Sequence, residues 1–381
     1  MLIMNSTKGN NGKKTHLGRR VLRILGMAVG IVIALLVVLV AFLSVMEYKP
    51  AERENIDVIT SDDTYVINTG EPITILTWNT GYGALGDNAD FFMDGGNGVQ
   101  TATRERVESN IEFMLSKINS FSPDVVLLQE VDTDSRRSYG IDATEYFKTN
   151  LHTTEGGTYS SAFAYNFKTP FVPFPIPPIG KVNSGIQTLT RFDISSAQRI
   201  SLPCPFKWPI RTANLKRCLL ITRIPVTTTD GALTDKELVI INLHLEAYDS
   251  GEGKIAQTAL FKSVLEEELN KGNYVIAGGD FNQTFSNVDV SAYPVHPECW
   301  QSGYIDVEDF PEEVSFVTDN STPTCRSLQR PYAGSDRDDL QYYVIDGYIV
   351  SNNISVESCE TIDYEFAATD HNPVVMTATL K

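Results

Sequence analysis

Apolar residues in this chain recur in short β-branched runs separated by polar turns, and runs without strict alternation read as strands covered on both faces. Residues 73–77, 125–128, 185–190, 218–224, 238–245, 274–277, 343–350 and 374–380 are such runs and are predicted strands. Two stretches change to a helical period. Residues 104–121 place Val107, Ile111, Met114, Leu115 and Ile118 on one face, and residues 254–271 place Ile255, Ala259, Val264, Leu265 and Leu269 on another, with Gly272 and Asn273 as a stop signal. Many strands per helix predict an α/β fold of two packed β-sheets flanked by helices, a four-layer α-β-β-α sandwich. The segment 165–180 holds five prolines and is expected to be a loop with exposed aromatics.

The N-terminal pattern is different. Residues 24–46 contain no charge and are long enough to cross a hydrocarbon layer as one helix, at a rise of ~1.5 Å per residue. A cleaved signal peptide has an apolar core of at most ~15 residues, shorter than this run, and no small-x-small site stands out before Glu47. Lys8, Lys13, Lys14, Arg19, Arg20 and Arg23 precede the run without an acid, so residues 1–23 are expected in the cytoplasm and the rest outside it. Residues 47–70 are polar with little periodicity and read as a stalk. Residues 71–381 then form a single catalytic domain, since there is no internal repeat and the candidate motifs span nearly all of it.

Setting those six basic residues aside leaves 25 against 48 acids, a formal charge of −23 on the outward part. Such a surface repels polyanions at long range, which demotes nucleic acid without excluding it. Cys204, Cys218, Cys299, Cys325 and Cys359 all follow the span, and an odd count leaves at least one unpaired. None has a zinc-type spacing.

Residues of catalytic type close the apolar strands. Asn79 ends ITILTWN, Glu130 ends DVVLLQE, His244 lies late in VIINLHLE, and Asp280 with Asn282 ends YVIAGGDFN. Asp346 in YVIDGYIVSN and Asp370–His371 in ATDHNPVVM complete the set. Singly, most have bland readings as turn caps or core residues. A carboxylate directly after VVLL is harder to dismiss, because a buried charge must be paired or bound to a metal.

Taken in order, TWN, LQE, NLHLE, GGDFN, IDGYIVS and TDHNPV resemble the endonuclease/exonuclease/phosphatase superfamily of metal-dependent phosphoesterases, here as a membrane-anchored, bacterial-type member. The resemblance implies a site at one end of the sandwich, with Glu130 the principal magnesium ligand, manganese being an alternative, and Asn79 and Asp370 near the metal. It implies that Asp280 positions or deprotonates water, that Asn282 and His244 hold phosphate oxygens, and that His371, oriented by Asp346, binds or protonates phosphate. Tyr139 is a candidate for a phosphate-side tyrosine. The expected activity is hydrolysis of a small or lipid-linked phosphoester, with the membrane met through the N-terminal helix and no protein partner inferable. DNA cleavage outside the cell, or a non-catalytic surface module of the same fold, remain the alternatives. Phe167, Phe171, Phe174 and Ile176, among prolines, offer an apolar surface suited to an interface or an apolar substrate portion.

Overall fold

The computed structural model describes residues 11–63, 65–249 and 251–381, with side chains from residue 19 onward. Lys8, and the side chains of Lys13 and Lys14, lie outside the described residues. The chain forms two compact units, Met1–Glu47 and Tyr48–Lys381. The first contains α1 (Asn11–Val45), whose 27-residue stretch Arg19–Val45 is long and apolar enough to cross a membrane.

The second unit begins with β1 (Arg53–Ile56), β2 (Val58–Ile59), β3 (Ile67–Asn68) and β4 (Pro72–Asn79). After α2 (Arg104–Phe121) come β5 (Val125–Asp132), α3 (Ala143–Asn150), β6 (Ser160–Val172), β7 (Gly180–Thr190) and β8 (Ser196–Ser201). Then follow β9 (Cys218–Thr227), β10 (Leu233–His244), α4 (Glu252–Asn270) and β11 (Tyr274–Asp280). The last part holds β12 (Gln283–Phe285), β13 (Gly303–Ile305), β14 (Val314–Val317), β15 (Cys325–Arg326), β16 (Tyr342–Tyr343), β17 (Asp346–Ser351), β18 (Ile354–Thr361) and β19 (Val374–Leu380).

Among the described residues, two mixed sheets dominate. One runs β1-β8-β9-β10-β11-β17-β14 with β3 beside β9, and the other runs β18-β19-β4-β5-β7-β6-β2. Their facing surfaces form the central core, with Ile75, Val125 and Leu127 of one sheet against Ile240, Ile276 and Tyr348 of the other. On the outer face of the second sheet, α2 buries Val107, Ile111, Met114, Leu115 and Ile118, the face its period predicts, and Thr103 caps its first turn. On the outer face of the first sheet lies α4. The expected four-layer sandwich is therefore present.

Each sheet contains one parallel pair at its middle, β4 with β5 and β10 with β11, joined through α2 and α4 respectively. Such crossovers carry the chain back through a helix, so the strands of each pair end together, and the hydrogen bond from Asn79 at the end of β4 to Asp280 at the end of β11 shows that both pairs end at the same end of the sandwich. Buried polar groups bridge the sheets near that end: Gln129 Nε2 donates to Asn242 Oδ1 at 2.9 Å, and Asn242 Nδ2 donates to the Gln187 carbonyl at 2.9 Å.

Three expectations differ from the structure. Residues 47–70 are not a free stalk: β1 pairs with β8, β2 with β6 and β3 with β9, so a polar stretch is held by ladder hydrogen bonds at sheet edges. The 165–180 segment is a loop only at its tip, because β6 continues to Val172 and β7 starts at Gly180. Pro170 is tolerated because β2 pairs with β6 only at Ser161 and Ala162, leaving the rest of β6 as an edge. Finally, α4 buries Phe261, Val264 and Leu265 but exposes Ile255 (72%). The face is completed by Gln257, which receives the Glu246 N–H, and by Glu268, which pairs with Arg223. Satisfied polar groups there outweigh one apolar residue.

At Gly279 the backbone φ is +145° and a Cβ would stand 2.0 Å from the Leu243 carbonyl oxygen of the paired strand. Gly279→Ala is expected to destabilise the fold by about 3 kcal/mol or more through clash and strain. Thermal unfolding of the full chain checks it, and an unchanged Tm would show that β10 and β11 yield more than this register allows.

Candidate active site

The strand ends bring the expected residues together. Asn79 closes β4 and Asp280 closes β11, and the Asn79 Nδ2 donates across the sheets to Asp280 Oδ2 at 3.0 Å and toward Glu130 Oε1 at 3.4 Å. Asn79 Oδ1 in turn accepts the Gly81 N–H at 3.0 Å. Glu130 sits at φ +54°, in a register shift between Leu128 and Val131 of the β5–β7 ladder. The bulge removes Glu130 from strict alternation and aims its side chain at the end of the sandwich, where bulges often serve sites. The Thr80 hydroxyl donates to the Gln129 and Glu130 carbonyls, 3.0 Å each, and so fixes the bulge to the loop after β4.

His244 pairs with Asp280 in the parallel ladder, and its Nε2 stands 3.4 Å from Asp280 Oδ2 and 4.0 Å from Glu130 Oε1. Burial, then the positive charges of Arg217, His371 and Arg137, holds its pKa well below the ordinary value, so the ring is neutral. Its Nδ1 is buried without a protein partner. Asn282, at φ +51°, donates from Nδ2 to the Leu245 carbonyl at 2.9 Å, which leaves its second amide N–H for another acceptor.

His371 behaves oppositely. Burial disfavours its charge, but the Asp346 carboxylate, 2.8 Å from Nδ1, outweighs burial and raises the pKa well above the ordinary value. The ring is thus an imidazolium whose Nε2 lies 3.8 Å from Asp280 Oδ2. Asp346 opens β17 directly opposite Asp280, with its backbone N–H held by Thr324 Oγ1 at 3.1 Å. The loop carrying His371 is tied to β4 by the Trp78 indole, which donates to the His371 carbonyl at 2.9 Å, and by Thr369, which donates to the Asn79 carbonyl at 3.0 Å.

Glu130, Asp280, Asp346 and Asp370 therefore crowd one end of the fold. Burial raises the carboxyls of Glu130 and Asp370, each further raised by neighbouring acid or only partly relieved by cations, and lifts Asp280 to about 7. Candidate metal-ligand groups with donor atoms within 4.8 Å of one another are Asp280, Asp346 and His371, and Cys325, Asp370 and His371. Both include His371, and an imidazolium has no lone pair to offer. The oxygen set around Glu130, Asp370 and Asn79 fits a hard divalent cation better: Asp370 is buried, Glu130 is half-buried, and the nearby cations only partly offset the burial that raises both acids.

Several residues here carry no sequence signal. Asp94, in the loop before α2, accepts the Tyr248 hydroxyl at 3.0 Å, and burial lifts its pKa to about 7 with Asp370 and Glu130 contributing. Arg326 is fully buried near Asp370 and donates Nη2 to the Gly86 carbonyl at 2.7 Å. Arg137 makes a two-pronged pair with Asp132 and stacks 3.7 Å over the Tyr82 ring. Tyr139 belongs elsewhere: its hydroxyl donates to the Ala102 carbonyl at 2.7 Å, so it braces the α2 entry and none of its contacts is with the carboxylates. The five cysteines carry no disulfide.

The charge on Asp280 sets a pH dependence. An acid raised from 3.8 to about 7 costs nothing below about pH 4, where both folded and unfolded forms are protonated, and its full penalty is reached above about pH 7. In metal-free protein, Asp280→Asn should therefore raise stability at pH 8 by about 2 kcal/mol, with the gain shrinking on acidification. Tm series of both proteins in chelator measure it. A gain independent of pH would mean that Asp280 is not a buried, unrelieved carboxylate.

A family model for the endonuclease/exonuclease/phosphatase family matches residues 76–327. No curated protein matches the chain. Among solved structures, an endonuclease/exonuclease/phosphatase from Beutenbergia cavernae aligns with TM-score 0.49 and 18% identity over 81% of this chain and 72% of that one. TDP2 of D. rerio, complexed with a single-strand DNA product, gives 0.49 and 14% over 81% and 99% of the two chains. The human Nocturnin catalytic domain, with bound sulfate, gives 0.48 and 15% over 86% and 98%. The family match covers Glu130, His244, Asp280 and Asn282 within one span of the sequence, and the chain belongs to the endonuclease/exonuclease/phosphatase family.

Proposed function

We propose that the chain is a magnesium-dependent phosphoester hydrolase, anchored by α1 with its catalytic unit outside the cytoplasm, acting on a small or lipid-linked phosphoester. The observation that carries the chemistry is the convergence of Glu130, Asp280 and Asp370 at one end of the fold, the last two buried and Glu130 half-buried, with one imidazolium beside them. Such a cluster is costly to hold unless a cation and an anionic substrate complete it. Glu130 and Asp370, with Asn79, are the residues that would hold the metal. Bound there, it would neutralise charge on the phosphoryl oxygens.

The remaining side chains divide the work. Asp280, lifted to about 7, takes the proton of the attacking water near neutral pH, and the Asn79 amide keeps its Oδ2 in place. His371, kept cationic and oriented by Asp346, binds a phosphoryl oxygen through Nε2 and supplies fixed positive charge. Neutral His244 and the second N–H of Asn282 donate to further oxygens. Six basic residues before an uncharged run of spanning length support the outward orientation.

Intact cells expressing the full chain should hydrolyse the impermeant diester bis-p-nitrophenyl phosphate, external EDTA should stop it, and magnesium should restore it. Glu130→Gln should lower the rate by about 10³-fold or more, since the isostere keeps shape and removes the ligand charge. Turnover that appears only after lysis would invert the topology. Full activity in excess chelator would end the metal mechanism.

A further inference from the structure

The register of both sheets locates the catalytic end relative to where the chain enters the unit. In the first sheet, Asp280 lies beside His244, Leu243 beside Leu219, and Cys218 beside Ser201. The Ser201 N–H and hydroxyl donate to the carbonyls of Glu52 and Ala51 at 2.8 and 2.6 Å. The row that begins at Asp280 thus ends at Ala51 and Glu52, four strand spacings away, or about 19 Å. Because β1 runs antiparallel to β8, the chain ahead of Arg53 leaves the unit at the catalytic end. Tyr48, at that exit, has the Lys168 ammonium and the Arg199 guanidinium 5.8 Å from its ring. In the sequence, only Met46 and Glu47 lie between it and Val45, the last residue of α1.

The second sheet carries an apolar projection at the same end. Asp132, two residues past Glu130, pairs with Ser184, which pairs with Phe167. From that row β6 and β7 continue together to Val172 and Gly180, about 15 Å further. The tip exposes Phe174 (69%) and Ile176 (87%). The loop after β8, which starts beside Ala51, exposes Trp208 (61%) and Ile210 (65%) and is fastened to β6 where the Lys216 N–H meets the Asn166 carbonyl at 2.7 Å. Lys168 and Lys207 are exposed among these residues. Large apolar side chains mixed with tryptophan and lysine suit the headgroup boundary of a bilayer.

We propose that the catalytic end docks on a bilayer surface, that Phe174, Ile176, Trp208 and Ile210 enter its interface, and that the substrate is a phosphoester borne by a lipid of that bilayer. The inference rests on the phosphoester reading for its substrate and on the anchor for its partner. It gives a role to the four large apolar residues that these two neighbouring segments expose at the catalytic end.

The test uses the full chain reconstituted in phosphatidylcholine vesicles whose acyl chains carry bromine, a contact quencher of indole emission. Of the three tryptophans, Trp78 is buried, so the expected quenching is of a component that Trp208→Phe removes. Equal quenching in both proteins would overturn the docking surface. In parallel, the double variant F174D/I176D should hydrolyse vesicle phospholipid about tenfold more slowly while its rate on soluble bis-p-nitrophenyl phosphate stays within about twofold. Unchanged lipid turnover in the variant, or turnover of the soluble diester alone by the wild type, contradicts the proposal. Wild-type inactivity on both substrates would instead defeat the phosphoester reading, leaving the quenching to decide the surface on its own.

Discussion

Buried like charge governs this structure. Glu130, Asp280, Asp346 and Asp370 converge from both sheets, and among the described residues only His371, as an imidazolium, makes a direct ion pair with one of them at short range. Arg326 contributes charge from a position where its Nη1 and Nη2 groups donate to backbone carbonyls, and Arg137 is committed to Asp132. The cluster is held by what surrounds it: Asn79 cross-links the sheets at Asp280, Thr80 fixes the bulge, and Trp78 fixes the loop of Asp370 and His371. A site of this kind stores unfavourable electrostatics that the proposed cation and phosphoryl group would relieve.

The backbone takes up strain in the same places. Tyr82, Glu130 and Asn282 adopt φ of +43°, +54° and +51°, each within three residues of a strand end that supplies the cluster. Left-handed conformations at such residues cost of order 1–3 kcal/mol each and persist where packing over-determines them. Here the packing is the pair of parallel ladders and the Gln129–Asn242 bridge, which fix the relative height of the two sheets.

Much of this was legible in the sequence. Eight apolar runs fall on strands of the two sheets, and the residues closing TWN, LQE, NLHLE and GGDFN meet in space because parallel pairs end together. The misses have physical causes. The edge strands within 47–70 and the long β6 have polar or proline-bearing sequences, since edges need no buried alternation. The face of α4 was misjudged because Gln257 and Glu268 are buried with partners that lie far away in the chain. Asp94 and Tyr248 left no trace because loops supply them, and Arg326 because the two-residue β15 is too short to show a period.

The central claim is that Glu130 and its neighbours form a cation site completed by ligand and not by protein. A divalent ion that binds the folded state raises Tm by mass action. Thermal unfolding of the full chain with and without millimolar magnesium, for wild type and Glu130→Gln, measures this without reference to any substrate. The account predicts a clear rise in Tm for the wild type and little or none for the variant. Equal rises in both, or none in either, would contradict it.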